Sequence, residues 1–260
     1  MMLDKKNIVI IGGTTGIGLS AAKAFIANGA KVIVVGRNAD SAEAAKKELG
    51  KSAMSLAADA ANENTAIQAI DICISNFGSF DGLYHVAGGS GRKMGDGPLH
   101  ELTLDGWNKT MELNLTSIML SNKAAVNKFL ELKKSGTILN MGSVLGFSPS
   151  PKYFSTHAYA AAKAAIIGFT KSIAAYYAAN NIRFNVIAPA LVETPMAQRA
   201  AKDEEILSFI KTKQPLDGGR IGVPEDLDGI ALYCMSDLSK FTTGQCFVVD
   251  GGWTVSEGQF

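Results

Sequence analysis

The chain has 260 residues, 47% of them hydrophobic and 19% charged, so it can bury a sizeable core and is not a disordered segment. Its formal net charge of +1 gives no electrostatic reason to expect nucleic acid or an anionic membrane as a partner. Cys73, Cys234 and Cys246 lie far apart with no Cys-x-x-Cys pair, which argues against a disulfide frame or a metal site and for a reducing, cytoplasmic setting.

Asn7–Ile11 is a short β-branched run that stops at Gly12 and reads as a buried strand. Lys5 and Lys6 before it mimic the start of a signal peptide, but the glycines cut the run off early. No apolar run approaches the ~18 residues of a membrane span. Helical periodicity follows over Gly16–Asn28, with Ile17, Ala21, Ala22 and Phe25 inward and Gly29 as the terminating residue. Lys31–Val35 is a second strand, Asp40–Leu49 a polar helix and Ser52–Ala57 a third strand. Asn62–Phe77 carries Ile67, Ile70, Ile74 and Phe77 at helical spacing, and Asp81–Val86 is a fourth strand.

The second half repeats the alternation. Gly88–Pro98 is a glycine-rich loop, Asp105–Lys133 a long helix and Thr137–Met141 a fifth strand. Ser143–Thr156 is irregular, and a helix through Tyr159 runs to about Ala179. Ile182–Ala188 is a sixth strand, and a long excursion over 189–223 holds a short helix near Asp203–Thr212. Pro224–Met235 is a helix opened by its proline, and Gln245–Val249 a seventh strand. Strands that alternate with helices, without hairpin signals, predict right-handed βαβ units. The expected fold is α/β, a Rossmann-type doubly wound sheet of seven mostly parallel strands with helices on both faces. No linker or repeat divides residues 1–260, so one domain is expected, with functional loops at the carboxyl ends of the strands.

Three stretches carry chemistry. The first, Gly12-Gly13-Thr14-Thr15-Gly16-Ile17-Gly18, joins the first strand to the first helix. Its glycines allow a tight turn, and the helix start offers N–H groups to a pyrophosphate. The second lies after strand two, where Val35-Gly36-Arg37-Asn38 lacks the carboxylate that NAD sites place on the ribose and supplies a guanidinium suited to a 2′-phosphate. NADP(H) is therefore favoured, with NAD(H) the alternative. The third is Tyr159-Ala160-Ala161-Ala162-Lys163, which sets a phenol and an ammonium one helical turn apart. An ammonium favours the phenolate, so the spacing predicts a lowered Tyr159 pKa and proton exchange with an alcohol or carbonyl oxygen.

Together these stretches resemble the short-chain dehydrogenase/reductase family over nearly the full length. Gly12–Gly18 is similar to the family's glycine loop, and Asp59, followed by Ala60, to the aspartate that holds adenine. Asn114 resembles the helix asparagine of the proton relay, Ser143 the catalytic serine, and Tyr159 and Lys163 the central pair. Arg183–Pro189 and Val192-Glu193-Thr194-Pro195 resemble the segment that cradles nicotinamide, and Val249-Asp250-Gly251-Gly252 the terminal strand and its turn. Three positions depart from the pattern. Ile11 replaces a threonine, His85-Val86 replaces Asn-Asn before Ala87-Gly88, and Ala190 replaces a glycine.

The resemblance implies hydride transfer between a nicotinamide and a carbinol carbon, without a metal. Tyr159 becomes general acid and base, Lys163 depresses its pKa and holds the ribose, Ser143 orients the substrate oxygen, and Asn114 holds a water. The implied cofactor contacts are Gly12, Thr14, Thr15, Gly16, Ile17, Gly18, Arg37, Asp59, Ala60, Ala87, Gly88, Tyr159, Lys163, Pro189, Val192 and Thr194. Substrate contacts are expected from three loops, 88–98, 144–156 and 190–223, through Ser143, Leu145, Phe154, His157, Leu191 and Met196. The substrate is then a small alcohol or ketone. A 3-oxoacyl thioester, a sugar or polyol and a cyclic alcohol all stay open, as does a non-catalytic dinucleotide-binding regulator. A homotetramer is expected through the helices over 105–133 and 156–179 and the last strand, with Phe260 placed to pack on a neighbour.

Overall fold

In the computed structural model the described residues are 1–258; Phe260 lies outside them. Strands β1 (Asn7–Ile11), β2 (Lys31–Gly36), β3 (Ala53–Ala57), β4 (Gly82–His85), β5 (Gly136–Met141), β6 (Ile182–Pro189) and β7 (Cys246–Val249) form one sheet. Its order is β3-β2-β1-β4-β5-β6-β7. Every pairing is parallel, so the expected "mostly parallel" sheet is wholly so. The run Ile8–Ile11 is buried to the last residue, because helices cover both faces and no polar alternation is needed.

The helices are α1 (Gly16–Ala27), α2 (Ala39–Leu49), α3 (Thr65–Phe77), α4 (Leu104–Met111), α5 (Ser117–Glu131), α6 (His157–Tyr177), α7 (Glu204–Lys213) and α8 (Asp228–Met235). One core lies between the sheet and α1, α2 and α8, around Phe25, Val34, Leu139 and Ala231. A second lies on the opposite face against α3, α5 and α6, around Ile70, Phe80, Phe129 and Phe184. Register aligns the carboxyl ends: Ile11 is level with both Val35 and His85, and Met141 with Ile187. Strand order reverses between β1 and β4, the switch point at which such sheets bind ligands.

Three sequence expectations are corrected. The helix expected over 105–133 is α4 and α5 joined by a π-helical turn, Glu112–Thr116. The extra residue of that turn carries Asn114 to full burial, where backbone groups bind its amide. Helix α3 starts at Thr65 instead of Asn62, because Asn62 N and Thr65 Oγ1 both bond Asp59 O in a preceding turn. Its inner face is Ala66, Ala69, Ile70 and Cys73, whereas Ile67 is 44% exposed. The helix expected from Pro224 begins as a 3-10 turn, Pro224–Leu227, in which the Asp226 carboxylate accepts from Val223 N and Arg220.

The central helices are fixed to the sheet by a buried polar network. Asn122 of α5 and Asn140 of β5 exchange amide hydrogen bonds of 2.9 and 3.0 Å, and Asn140 also donates to Thr170 Oγ1 of α6 at 3.1 Å. Each amide is satisfied, so the network locks α6 in place without an orphaned polar group.

Candidate active site

Ser143 follows the end of β5 with an extended backbone, and its Oγ accepts from Leu145 N at 3.2 Å to open a short turn over Val144–Gly146. That turn lies against α6. A Cβ on Gly146 would stand 2.7 Å from Ala164 N, so glycine is what lets the Ser143 turn reach α6. Tyr159 and Lys163 project from one face of α6. Lys163 is 2% exposed, and its Nζ donates to Met141 O at 2.9 Å and lies 5.4 Å from the centre of the Tyr159 ring.

Burial pushes the Tyr159 phenol up to about 12, with the Ser143 hydroxyl pulling it back through a hydrogen bond. Burial likewise pushes the Lys163 ammonium down to about 7. The expected lowering of the phenol is thus reversed in the protein alone. Desolvation disfavours the charged form of each group.

Asn114 is committed on both amide groups. Its Oδ1 accepts from Gly89 N at 3.0 Å, and its Nδ2 donates to Gly89 O and Thr110 O, each at 2.9 Å. A Cβ on Gly88 would lie 2.8 Å from Asn114 Oδ1 and 3.5 Å from Lys163 Nζ, so these three residues converge. His85, at the end of β4, is a buried neighbour. Its Nδ1 lies 2.7 Å from Ser121 Oγ, and burial together with the Lys163 charge holds it down at about 3, so the ring is neutral.

Asp96 is absent from the sequence-based candidates and is structurally prominent here. It is 5% exposed, and its two carboxylate oxygens accept from Ala158 N at 3.0 Å and Tyr159 N at 2.9 Å. Thr156 precedes α6 and makes no side-chain cap, so a residue from the 88–98 loop caps the helix that carries Tyr159. No local sequence pattern could show this, since the cap comes from a different loop. Asp96→Ala is expected to cost about 1–2 kcal/mol, read as a lower midpoint in thermal unfolding, with Asp96→Asn recovering part of it.

The first glycine loop folds back on β2, with Gly12 N and Gly13 N donating to Val35 O at 2.8 and 3.0 Å. Gly12 has φ +87°, and a Cβ there would meet Ala87 N at 2.5 Å. Thr15 makes no side-chain cap and the first turn of α1 holds no acid, so the N–H groups of Gly16, Ile17 and Gly18 begin a helix with no internal anion. Thr14 is buried under Gly36, and Thr194 packs on Gly16, where a Cβ would lie 3.3 Å from its Cγ2. Val192 pairs with Gly222 beyond Pro189, which brings the two ends of the 190–223 excursion together. Asp59 Oδ1 accepts from Ala61 N at 2.9 Å, with Ala60 between them. Arg37 stands apart from this cluster, exposed just after β2 and in no ion pair among the described residues.

Leu145, Phe154 and Leu191 pack on an apolar cluster of Val144, Ala200, Ile206, Ile210 and Trp253 that joins the 144–156 and 190–223 loops to the turn after β7. Trp253 is 1% exposed. Phe154 and Phe209 pack edge-on to it at 5.8 Å each, and its Nε1 donates to Ser148 O at 3.4 Å. His157 is the first residue of α6 and is exposed, as is Met196. Among the described residues, no helix is long and apolar enough to cross a membrane.

Comparison with known proteins places this arrangement. A family model described as enoyl-(acyl carrier protein) reductase matches residues 12–254. The chain is 32% identical to cis-4-hydroxycyclohexanecarboxylate dehydrogenase of Sinomonas cyclohexanicum, covering 95% of each chain. It is 35% identical to 2-(S)-hydroxypropyl-CoM dehydrogenase 3 of Xanthobacter autotrophicus and 33% identical to the NADP-dependent (R)-specific alcohol dehydrogenase of Lentilactobacillus kefiri, covering 97% of this chain and 98% of each relative. A solved short-chain type dehydrogenase/reductase from Mycobacterium ulcerans superposes with a TM-score of 0.89 at 28% identity, over 98% of this chain and 92% of that one.

Proposed function

Because the chain belongs to the short-chain dehydrogenase/reductase family, whose members named above are dehydrogenases, we propose that it interconverts a secondary alcohol and a ketone, with NADP(H) preferred. The observation that carries this reading is the meeting of Ser143, Tyr159 and Lys163 at the end of β5, on one face of a buttressed helix. A non-catalytic regulator has no need of that trio.

The glycine cradle fits a dinucleotide. Its backbone approaches so closely that side chains are excluded at Gly12 and Gly18, and the start of α1 is uncapped. A bound nicotinamide supplies the hydride chemistry. The residues Gly12–Gly18 would hold the pyrophosphate, Asp59 and Ala60 the adenine end, Ala87 and Gly88 the adenine ribose side, and Pro189, Val192 and Thr194 the nicotinamide end. Lys163 would bind its ribose. Tyr159 gives its phenolic proton to a ketone oxygen in reduction and takes it back in oxidation. Ser143 Oγ steadies the developing charge on that oxygen. Asn114 fixes Gly88 and Gly89 beside Lys163, which keeps the ammonium at the floor of the site.

Arg37 would take the 2′-phosphate. Its exposure and lack of an ion pair leave the guanidinium ready for one. Arg37→Ala is expected to weaken NADPH binding about 10- to 100-fold and NADH binding little, the ratio that a lost charge-assisted contact gives. Equal losses in a fluorescence titration rule out the 2′-phosphate role.

A cyclic alcohol is the substrate class that the Sinomonas relative's name supports, and the apolar side chains Leu145, Phe154 and Leu191 would suit a ring. A 3-oxoacyl thioester is the second reading; the description of the matching family model supports the acyl thioester part of it, an enoyl reductase acting on a C=C bond and not on a 3-ketone. Assays of cyclic ketones and 3-oxoacyl thioesters with both cofactors separate the two. No turnover on either panel rejects catalysis. We read the chain as one catalytic unit in the cytoplasm, and as a homotetramer whose contacts include the exposed Tyr176 of α6, Val248 of β7 and Phe241 of the turn before β7.

A further inference from the structure

Two arginines from two different substrate loops meet on one atom of the third. Arg92 of the 88–98 loop donates to Tyr153 O at 3.0 Å, and Arg199 of the 190–223 excursion donates to the same oxygen at 3.3 Å. Tyr153 itself is anchored, since its ring packs on Phe209 of α7 at 4.9 Å and Lys152 Nζ sits 4.9 Å over that ring. The position is set relative to the chemistry as well. Arg92 begins the tight turn that ends in Asp96, the cap on the amide of Tyr159.

A loop stitch needs one guanidinium on that carbonyl. The second brings a like charge close to the first, and burial together with the Arg199 charge holds Arg92 below its ordinary value. Neither arginine forms an ion pair among the described residues. Asp96, the acid that acts on Arg92, has both oxygens committed to the Ala158 and Tyr159 amides. Lys152 adds a third cation, and its partner Glu205 lies 3.5 Å away at the surface. Each guanidinium has five N–H donors and spends one on Tyr153 O. The remaining donors point to an oxyanion, since two forked cations with free N–H groups match the paired oxygens of a carboxylate or sulfonate.

We propose that Arg92 and Arg199 form an anion subsite at the rim of the active site, and that the substrate is a secondary alcohol or ketone carrying a carboxylate or sulfonate remote from its carbinol carbon. This rests on the oxidoreductase reading for the carbinol end, but the anion end stands on the arginine geometry alone. An anion held there bridges the three substrate loops and orders them over Tyr159.

The test uses the full chain with its nicotinamide cofactor and unreactive probes that lack a carbinol. Cyclohexanecarboxylate, cyclohexanesulfonate and cyclohexanecarboxamide are titrated by calorimetry at low and high salt. The anions are expected to bind at least about 10-fold more tightly than the neutral amide, with the gap shrinking as salt rises. Arg92→Gln and Arg199→Gln should each close most of that gap while leaving NADPH affinity and amide binding unchanged. If either glutamine variant fails to fold, Arg92→Lys and Arg199→Lys retain the charge and should keep part of the preference. Equal affinity for the anions and the amide in the native protein overturns the subsite, as does an undiminished preference in the double variant. If the anions bind selectively but no ketone or alcohol, charged or neutral, is turned over, the oxidoreductase reading fails and the subsite stands.

Discussion

Replacing Tyr159 by Phe is expected to leave folding and cofactor affinity intact while lowering turnover by about 10²- to 10⁴-fold, the range of a lost general acid–base. The change removes one oxygen. The ring keeps its place beside Lys163 Nζ, and the α6 backbone keeps its cap from Asp96. That hydroxyl's hydrogen bond is to Ser143 at the end of β5, so NADPH titration should match the native protein. Steady-state assays on any ketone that the native protein reduces check it, and undiminished turnover sinks the assignment. The pH dependence should follow from the opposed shifts at the pair. A phenol raised to about 12 stays protonated, and ready to donate, through the neutral range, whereas Lys163 at about 7 loses its charge across that range.

Gly18→Ala is the second large effect, and it runs against helix propensity. Glycine costs up to about 1 kcal/mol in a helix relative to alanine, so propensity alone predicts a stabilised α1. Packing decides otherwise. A Cβ at Gly18 would stand 2.1 Å from Gly12 O and 2.9 Å from Gly13 Cα, and those neighbours are backbone atoms that cannot rotate away. Forcing α1 off the loop should cost about 1–3 kcal/mol in stability, as overpacking does. It also opens the turn over which the pyrophosphate would sit, so NADPH affinity is expected to fall on the order of 100-fold. A variant that melts higher and binds NADPH normally contradicts the close approach between the loop and α1.

Much of this was readable from residues alone, for physical reasons. Buried parallel strands must be apolar on both faces, which made runs such as Asn7–Ile11 and Lys31–Val35 unmistakable. A glycine loop between a strand and a helix, and a tyrosine four residues before a lysine, are local patterns with fixed geometry. What stayed hidden depends on contacts distant in sequence. The cap from Asp96 to Tyr159 joins residues 63 apart and follows no periodicity. The π-turn at Glu112–Thr116 adds one residue to a helix whose apolar spacing looks continuous. Ile67 fits the helical pattern yet faces outward, because the buried face of α3 is the one that carries Ala66, Ala69, Ile70 and Cys73. The direction of the Tyr159 shift was hidden for a related reason, since spacing reveals the neighbouring charge but not the burial that raises the phenol.

The apolar cluster beneath the substrate loops has an optical consequence. The chain has two tryptophans, and Trp253 is the one sealed among Phe154, Phe209 and the Lys213 ammonium, which lies 5.7 Å from its ring. Its indole touches the 144–156 segment on one side and α7 on the other. Any ligand that shifts those two segments against each other changes the field and the quenching at the Trp253 indole. Trp253 is therefore an intrinsic optical reporter of motion between the 144–156 segment and α7.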